Sequence, residues 1–288
     1  MNEVIETLAN LSMLVFVLGS MASMGLSLKL KEITSSLKNT RQVIIALVVN
    51  FILVPLVAYG ITLLFPLDEP LRIGLILLST AAGAPFLPKL AEAAKGSTAF
   101  SVGLMVLLMM VTIVYLPIVL PLLLGGVEVN PWDIAQSLIL LMLLPLALGL
   151  LINARYEEIA DKLQPVFSQA SSTALLLLAV LGLVLNFRQM ISLVGSFGIL
   201  AAVIFLLAAL ALGYFLGGKD IQTKSVLGLG TAQRNISAAL VVASQNFGID
   251  VVTYLMVVSI VGLLVLMPLA GELGRRHSPK MKQGLDQS

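Results

Sequence analysis

Residues 221–246 read IQTKSVLGLGTAQRNISAALVVASQN, a stretch that departs clearly from a uniformly apolar span. At about 1.5 Å per residue it is long enough to cross a hydrocarbon core of about 30 Å. Its middle nevertheless carries Gly228 and Gly230, followed by a polar run from Thr231 to Ser237. Nothing so polar would face lipid, because an unwound backbone is tolerated in hydrocarbon only where protein or a water-filled cavity satisfies it. We therefore expect an interrupted transmembrane helix inside a larger bundle, with the two glycines loosening it.

A second interruption is predicted about 145 residues earlier, where residues 82–89 read AGAPFLPK. Two prolines three residues apart remove backbone donors and obstruct a continuous helix. Each interrupted span is followed by one long apolar span, which is the spacing that an inverted repeat would give. Paired interrupted helices of this kind indicate a binding site near the middle of the membrane.

The composition supports an all-α polytopic membrane protein. Of the 288 residues 59% are hydrophobic and only 11% are charged, with a mean hydropathy of +1.05, whereas soluble domains carry about 25% charged residues. Nine apolar runs are long enough to span a bilayer. Their approximate limits are residues 6–29, 42–65, 70–94, 97–124, 132–153, 162–186, 190–217, 221–246 and 249–273.

The basic residues predict the orientation. Nine spans place thirteen of the 17 Lys and Arg residues on one side and two, Arg72 and Arg188, on the other, which leaves Lys89 and Arg234 inside spans. The positive-inside rule then puts the N-terminus outside and the tail, residues 274–288, in the cytoplasm. The N-terminus lacks the features of a cleaved signal peptide, and we expect residence in a bacterial inner (plasma) membrane.

Several functions are excluded by what the chain lacks. Without cysteine there are no disulfides, thiolate metal sites or iron–sulfur clusters, and a thiolate-dependent arsenite exporter is disfavoured. The single His277 lies near the polar C-terminus, where we interpret it as a solvated residue. A net charge of +2 gives no reason to expect nucleic acid as a partner. The loops are too short for an enzyme module, so we predict no enzyme, no catalytic residues and no cofactor.

Lys89 and Arg234 are the candidate functional cations. Lys89 has a structural alternative, since it could pair with Glu92 at i+3 or extend its amine to the cytoplasmic face. Arg234 lies in a span without any acid, and a central arginine costs on the order of 3 kcal/mol or more. Its countercharge would be Glu92 or an anionic ligand. The fragment from Gly228 to Gly230 lacks the rest of a dinucleotide fingerprint and is discarded.

Four segments together resemble the bile acid:sodium symporter family. They are residues 24–28 (MGLSL), residues 50–56 (NFILVPL), the Pro/Gly-rich third span with residues 94–102, and the region from Gln233 to Asn235. The similarity extends over nearly the whole chain. It implies a single transporter domain over residues 1–288, built from two inverted repeats at about 6–125 and 132–273. It also implies a panel domain, a core domain in which the third and eighth spans cross, and alternating access around a midplane site.

The resemblance also implies two sodium sites, which this sequence matches only in part. Asn50 matches a carboxamide ligand, Ser101 a hydroxyl ligand, and Asn235 an amide ligand. The other equivalent positions have lost their oxygens, including the family's only carboxylate. They are held by Leu87, Pro88, Met105, Gly230 and Arg234.

These departures lead to a functional hypothesis. Lys89 and Arg234 would stand in for the two sodium ions, with Lys89 as a possible proton carrier, and their charge would attract a small organic anion. The predicted substrate-binding residues are Asn50, Lys89, Thr231, Gln233, Arg234 and Asn235. The leading interpretation is a secondary transporter of a bile-acid-like or smaller carboxylate, surrounded by membrane lipid, with Na⁺ or H⁺ as coupling ion. The alternatives are a sodium-independent or proton-coupled anion facilitator or channel and a non-transporting membrane sensor, and these features specify no oligomeric state.

Overall fold

The computed structural model describes residues 2–29, 39–125 and 130–277, and these residues form helices without any strand. We number the helices α1 to α11 in chain order. They are α1 (Asn2–Ser27), α2 (Thr40–Leu64), α3 (Glu69–Thr80), α4 (Leu87–Ala93), α5 (Thr98–Leu123), α6 (Pro131–Arg155), α7 (Glu157–Gly195), α8 (Gly198–Leu216), α9 (Ile221–Ala232), α10 (Ile236–Asn246) and α11 (Ile249–His277).

The helices agree with the predicted spans. Seven segments within the described ranges are long and apolar enough to cross a membrane, counting α9 and α10 as one. The interrupted pair α3–α4 coincides with another predicted span. Helix α7 contains the predicted span 162–186 but continues to Gly195, so the connection predicted near residues 187–189 occurs at residues 196–197 instead. The predicted tail, residues 274–288, begins inside α11, which continues to His277, and residues 278–288 lie outside the described part of the chain.

Helices α1, α6 and α7 pack closely against one another. Their cytoplasmic ends, in the predicted orientation, are joined by polar contacts, including a hydrogen bond from Asn153 Nδ2 to the Leu28 carbonyl at 3.0 Å. The Lys29 ammonium donates to the Glu157 carboxylate at 2.6 Å, and this bond holds the pKa of Glu157 below its usual range. Both side chains are exposed, so this pair contributes little to stability.

The third span is interrupted where the prolines predict. Helix α3 ends at Thr80, residues 81–84 are extended or irregular, and α4 begins at Leu87 with Pro88 in its first turn. Gly83 has a φ of +83°, a conformation that costs residues with a Cβ atom. The sequence therefore breaks the helix by two means, proline and a left-handed glycine.

The eighth span is also interrupted, but later than the glycines suggest. Gly228 and Gly230 lie within α9, which continues to Ala232 before the chain opens at residues 233–235. The expectation that these glycines loosen the helix is therefore wrong. A Cβ atom on Gly228 would lie 3.0 Å from the Leu210 carbonyl oxygen of α8, so this glycine permits close helix packing instead.

Candidate functional site

The site begins with a distortion in α2. Residues Val49–Leu53 form one π-helical turn just before Pro55. Proline has no N–H to offer the carbonyl four residues earlier, here that of Phe51. Tyr115 of α5 supplies a donor, with its hydroxyl 2.5 Å from that carbonyl oxygen. Widened turns of this kind often occur at functional sites, and this one carries Asn50 with its side chain fully buried.

Arg234 is the centre of the site. Its Nη1 donates to Asn50 Oδ1 at 2.7 Å and to the Thr231 carbonyl at 3.1 Å. Its Nε donates to the Leu78 carbonyl at 3.1 Å, and its Nη2 donates to the Ser79 carbonyl at 2.6 Å. The residue is only 3% exposed. Four of the five guanidinium N–H groups thus have acceptors, and all four acceptors are neutral oxygens.

Asn50 holds its position by a second set of bonds. Its Nδ2 donates to the Ala46 carbonyl at 3.0 Å and to Thr231 Oγ1 at 3.2 Å. Both polar ends of the amide are therefore engaged, one with Arg234 and one with α2 and α9. Asn50, Thr231 and Arg234, three of the predicted substrate-binding residues, form one buried network.

Asn235 joins the two interruptions. Its backbone N–H donates to the Ala81 carbonyl at 2.9 Å, and its Nδ2 donates to the Gly83 carbonyl at 3.1 Å. Its Oδ1 accepts from the backbone N–H of Ala238 at 3.1 Å and so caps α10. The two interrupted helices therefore meet at their breaks, as the resemblance implies.

The positions equivalent to sodium ligands are mostly apolar. Leu87, Met105 and Gly230 are buried, and Pro88 is half-buried. A Cβ atom on Gly230 would meet the Leu87 side chain at 2.8 Å, so leucine methyl groups fill the space beside this glycine. Ser101 is buried and donates its hydroxyl to the Thr98 carbonyl of its own helix at 2.6 Å.

Lys89 lies apart from this network. It is exposed on α4, and its Nζ sits 5.7 Å from the centre of the Phe86 ring. The ion pairs among the described residues join Lys29 to Glu157 and the arginines near the end of α11 to Glu272, so neither Lys89 nor Arg234 is paired with Glu92. The alternative of a Lys89–Glu92 ion pair is thus not realised in this structure.

Gln233 is half-buried beside Arg234. Both line a small cavity of about 20 Å³, room for about one water molecule, together with Ser259 of α11 and apolar residues of α3, α8 and α11. Within the ranges that the structure describes, no cluster of His, Asp and Glu could hold a metal ion. The arrangement at the site is a set of hydrogen bonds around one fixed positive charge.

Sequence reasoning missed the acceptors that matter most. The Leu78 and Ser79 carbonyls are backbone groups, and an apolar sequence gives no signal for them. It also missed Thr112 and Tyr115. These two hydroxyl groups lie one helical turn apart on an otherwise apolar span, and that pattern could have indicated that they face the site. Thr112 Oγ1 accepts from the Ala82 N–H at 2.9 Å and donates to the Ala82 carbonyl at 3.0 Å.

The fold and site define a class: a polytopic, all-helical membrane protein whose two interrupted helices cross around a buried cation. Residues 13–193 match the Sodium Bile acid symporter family. The chain belongs to this family, which by its description is one of transporters and not of enzymes.

Several relatives share 22–27% sequence identity with this chain. The chain is 25% identical over 236 residues to the probable sodium/metabolite cotransporter BASS3, chloroplastic, of Arabidopsis thaliana, with 80% of this chain and 55% of that protein covered. It is 22% identical over 269 residues to the probable sodium/metabolite cotransporter BASS1, chloroplastic, of Arabidopsis thaliana, covering 91% and 66%. It is 27% identical over 143 residues to the uncharacterized sodium-dependent transporter YocS of Bacillus subtilis, covering 48% and 43%. The chain thus spans little more than half of the length of the BASS3 relative.

Proposed function

We propose that the protein is a secondary transporter that moves a small, carboxylate-bearing organic anion across the membrane by alternating access. Membership of a symporter family and the names of the relatives, sodium/metabolite cotransporters, support transport of a small molecule. The single observation that carries the proposal is the crossing of two interrupted helices at Asn235, the architecture in which transporters place their sites.

The charges at the crossing support an anion as substrate. Arg234 is buried with four of its five N–H groups already engaged, so it contributes mainly its electric field and has at most one N–H left for a ligand. Lys89, by contrast, is exposed at the start of α4. A lysine at membrane depth faces the protein interior or a water-filled cavity and not lipid. We propose Lys89 as the cation that an incoming carboxylate meets, and Gln233, half-buried beside the break, as a polar contact.

In this mechanism the crossing stays rigid while the surrounding helices move. The hydrogen bonds at the crossing link α2, α3, α9 and the two breaks, so these elements form one body. Helices α1, α6 and α7 pack mainly with one another and form the second body. Rocking of one body against the other exposes Lys89 to each side in turn. We propose the predicted orientation, with the N-terminus outside, for this cycle.

The test is uptake of radiolabelled carboxylates into proteoliposomes, with cholate, benzoate, lactate and succinate as probes. We expect saturable uptake of at least one probe, faster when the liposomes are preloaded with the same unlabelled anion, since exchange distinguishes a transporter from a channel. Lys89→Gln should raise KM at least about tenfold, the equivalent of about 1.4 kcal/mol of binding.

Arg72→Gln is the matched control, because Arg72 is an exposed cation at the opposite end of the same interrupted span. Its KM should equal that of the wild-type protein. Uptake without acceleration by preloaded anion would identify a channel, and absence of uptake for every probe by well-folded protein would contradict the proposal.

A further inference from the structure

The surroundings of Arg234 are those of a cation site. Its acceptors come from three helices: Asn50 from α2, the Leu78 and Ser79 carbonyls from α3, and the Thr231 carbonyl from α9. The three carbonyls lie in the last turns of α3 and α9, at the negative ends of the helix dipoles. In transporters with interrupted helices, such C-terminal ends and freed carbonyls coordinate the coupling cation.

The guanidinium already satisfies these oxygens. Each of the four distances from Arg234 nitrogen to oxygen is between 2.6 and 3.1 Å. Every acceptor is neutral, and the ion pairs within the described ranges lie elsewhere. The positive charge is therefore stabilised by oriented dipoles, as a metal cation of single charge would be. A sodium ion brought to these oxygens would compete with the guanidinium and meet its like charge.

The other equivalent positions offer no replacement. Leu87 and Met105 present hydrocarbon and thioether groups, and leucine methyl groups occupy the space beside Gly230. These groups are poor ligands for a hard cation, which prefers oxygen. The residues present thus do not fit bound sodium at the crossing of this protein.

We propose that the guanidinium of Arg234 is the permanent occupant of a cation site formed by Asn50 Oδ1 and the carbonyls of Leu78, Ser79 and Thr231, and that the protein works without sodium bound there. A tethered cation cannot leave on either side of the membrane, so it supplies the structural effect of a bound ion without coupling to its gradient. This inference deepens the proposed function. Only its consequence for transport rests on that function, because Arg234 occupies the site whether or not the protein transports an anion.

The first experiment needs no substrate. Thermal unfolding of the purified protein is compared in about 100 mM sodium chloride and about 100 mM choline chloride. We expect midpoints that agree within about 1 °C, because no vacant sodium site exists at the crossing. A sodium-specific rise of several degrees would overturn the proposal.

The second experiment vacates the site. Arg234→Ala removes the guanidinium and leaves four oxygens around a cavity, so the variant should unfold at a lower temperature. It should then gain a stabilisation of several degrees from sodium over choline, or from about 10 mM methylguanidinium, that the wild-type protein does not show. A general loss of packing would not respond to a particular cation, so absence of rescue by either ion would overturn the assignment of a cation site.

Arg72→Ala is the matched control, since Arg72 is exposed and should show neither destabilisation nor rescue. If Arg234→Ala cannot be purified, Arg234→Gln replaces it, and the wild-type comparison still decides whether sodium binds.

Uptake of cholate into proteoliposomes separates this inference from the proposed function. Equal uptake in external sodium and external choline supports both. Uptake that requires sodium supports the proposed transporter function and overturns the proposal that Arg234 replaces the sodium ion. If cholate does not enter in either medium, the same comparison is made with benzoate, lactate and succinate; failure of all four contradicts the proposed function, and the unfolding experiments alone then decide the cation site.

Discussion

The two interrupted helices break for different reasons. The first break contains Pro85 and Gly83, and its freed backbone groups at Ala82 are bonded by a hydroxyl from α5. The second break has neither proline nor a left-handed glycine, and it carries its own polar side chains, Arg234 and Asn235. Those side chains reach back to carbonyls of the first break and of the helix before it. The first break thus supplies acceptors and the second supplies donors, so each depends on the other.

The largest effect is expected where the first break depends on backbone shape. Gly83→Ala would place a Cβ atom 2.2 Å from the Met109 backbone nitrogen and 2.7 Å from the Met105 carbonyl oxygen, at a φ of +83°. Neither backbone atom can move cheaply, so we expect a loss of about 4 kcal/mol or more, enough to prevent purification of a folded protein. Size-exclusion chromatography of a fluorescent fusion measures this.

Gly60→Ala is the matched control for this prediction. Gly60 lies in α2, and a Cβ atom there would meet nothing within 4 Å. Its elution profile should match that of the wild-type protein, and its unfolding midpoint should be equal or slightly higher, because alanine favours a helix over glycine. A monodisperse Gly83→Ala protein with the wild-type midpoint would show that proline alone shapes the first break.

A smaller loss is expected when the first break loses its outside donor. Thr112→Val keeps the shape of the side chain but leaves both the N–H and the carbonyl of Ala82 without the hydroxyl. Two buried polar groups without partners should cost about 3 kcal/mol. Unfolding in mixed micelles of dodecyl maltoside and sodium dodecyl sulfate gives the change in free energy.

Thr62→Val is the control, because the Thr62 hydroxyl only donates to the Tyr59 carbonyl of its own helix. We expect less than about 1 kcal/mol for this variant. Equal losses at Thr112 and Thr62 would mean that the first break satisfies its backbone without α5.

The sequence predicted the elements better than the contacts. Apolar length located the spans, and Pro85 and Pro88 located the first break, because both signals act locally. The second break was predicted within residues 228–237, and it occurs there, at residues 233–235. Only the role given to the two glycines was wrong, since Gly228 packs against α8 and Gly230 against leucines of α4 and α5. Hydropathy identifies a polar residue that is unfavourable within a span. It does not indicate which distant backbone carbonyl accepts a hydrogen bond from that residue.

The candidate site shows the same limit. The absence of acids in its span marked Arg234 as unusual, and the residue is indeed the centre of a buried network. Two of its four partners are carbonyls of apolar residues or of a serine that no pattern marks, at Leu78 and Ser79. The helix dipoles stabilise the charge of Arg234 only because the folded chain brings the C-terminal ends of α3 and α9 together beside it.

The smallest effect is expected at the bond that Asn235 makes across the crossing. Asn235→Ser keeps an oxygen that can cap α10 at the Ala238 N–H, but the shorter side chain loses the amide donor to the Gly83 carbonyl. Because one neutral hydrogen bond is lost and the cap is kept, we expect the free energy of unfolding to fall by about 1 kcal/mol, measured by the same micelle unfolding.

Asn130→Ser is the matched control, since Asn130 caps α6 through the Trp132 N–H at an exposed position and makes no bond to either break. A cost at Asn235 no larger than that at Asn130 would mean that the two breaks are held together by Arg234 and by the Asn235 backbone bond to Ala81, and that Arg234 is the side chain that supplies the donors of the second break.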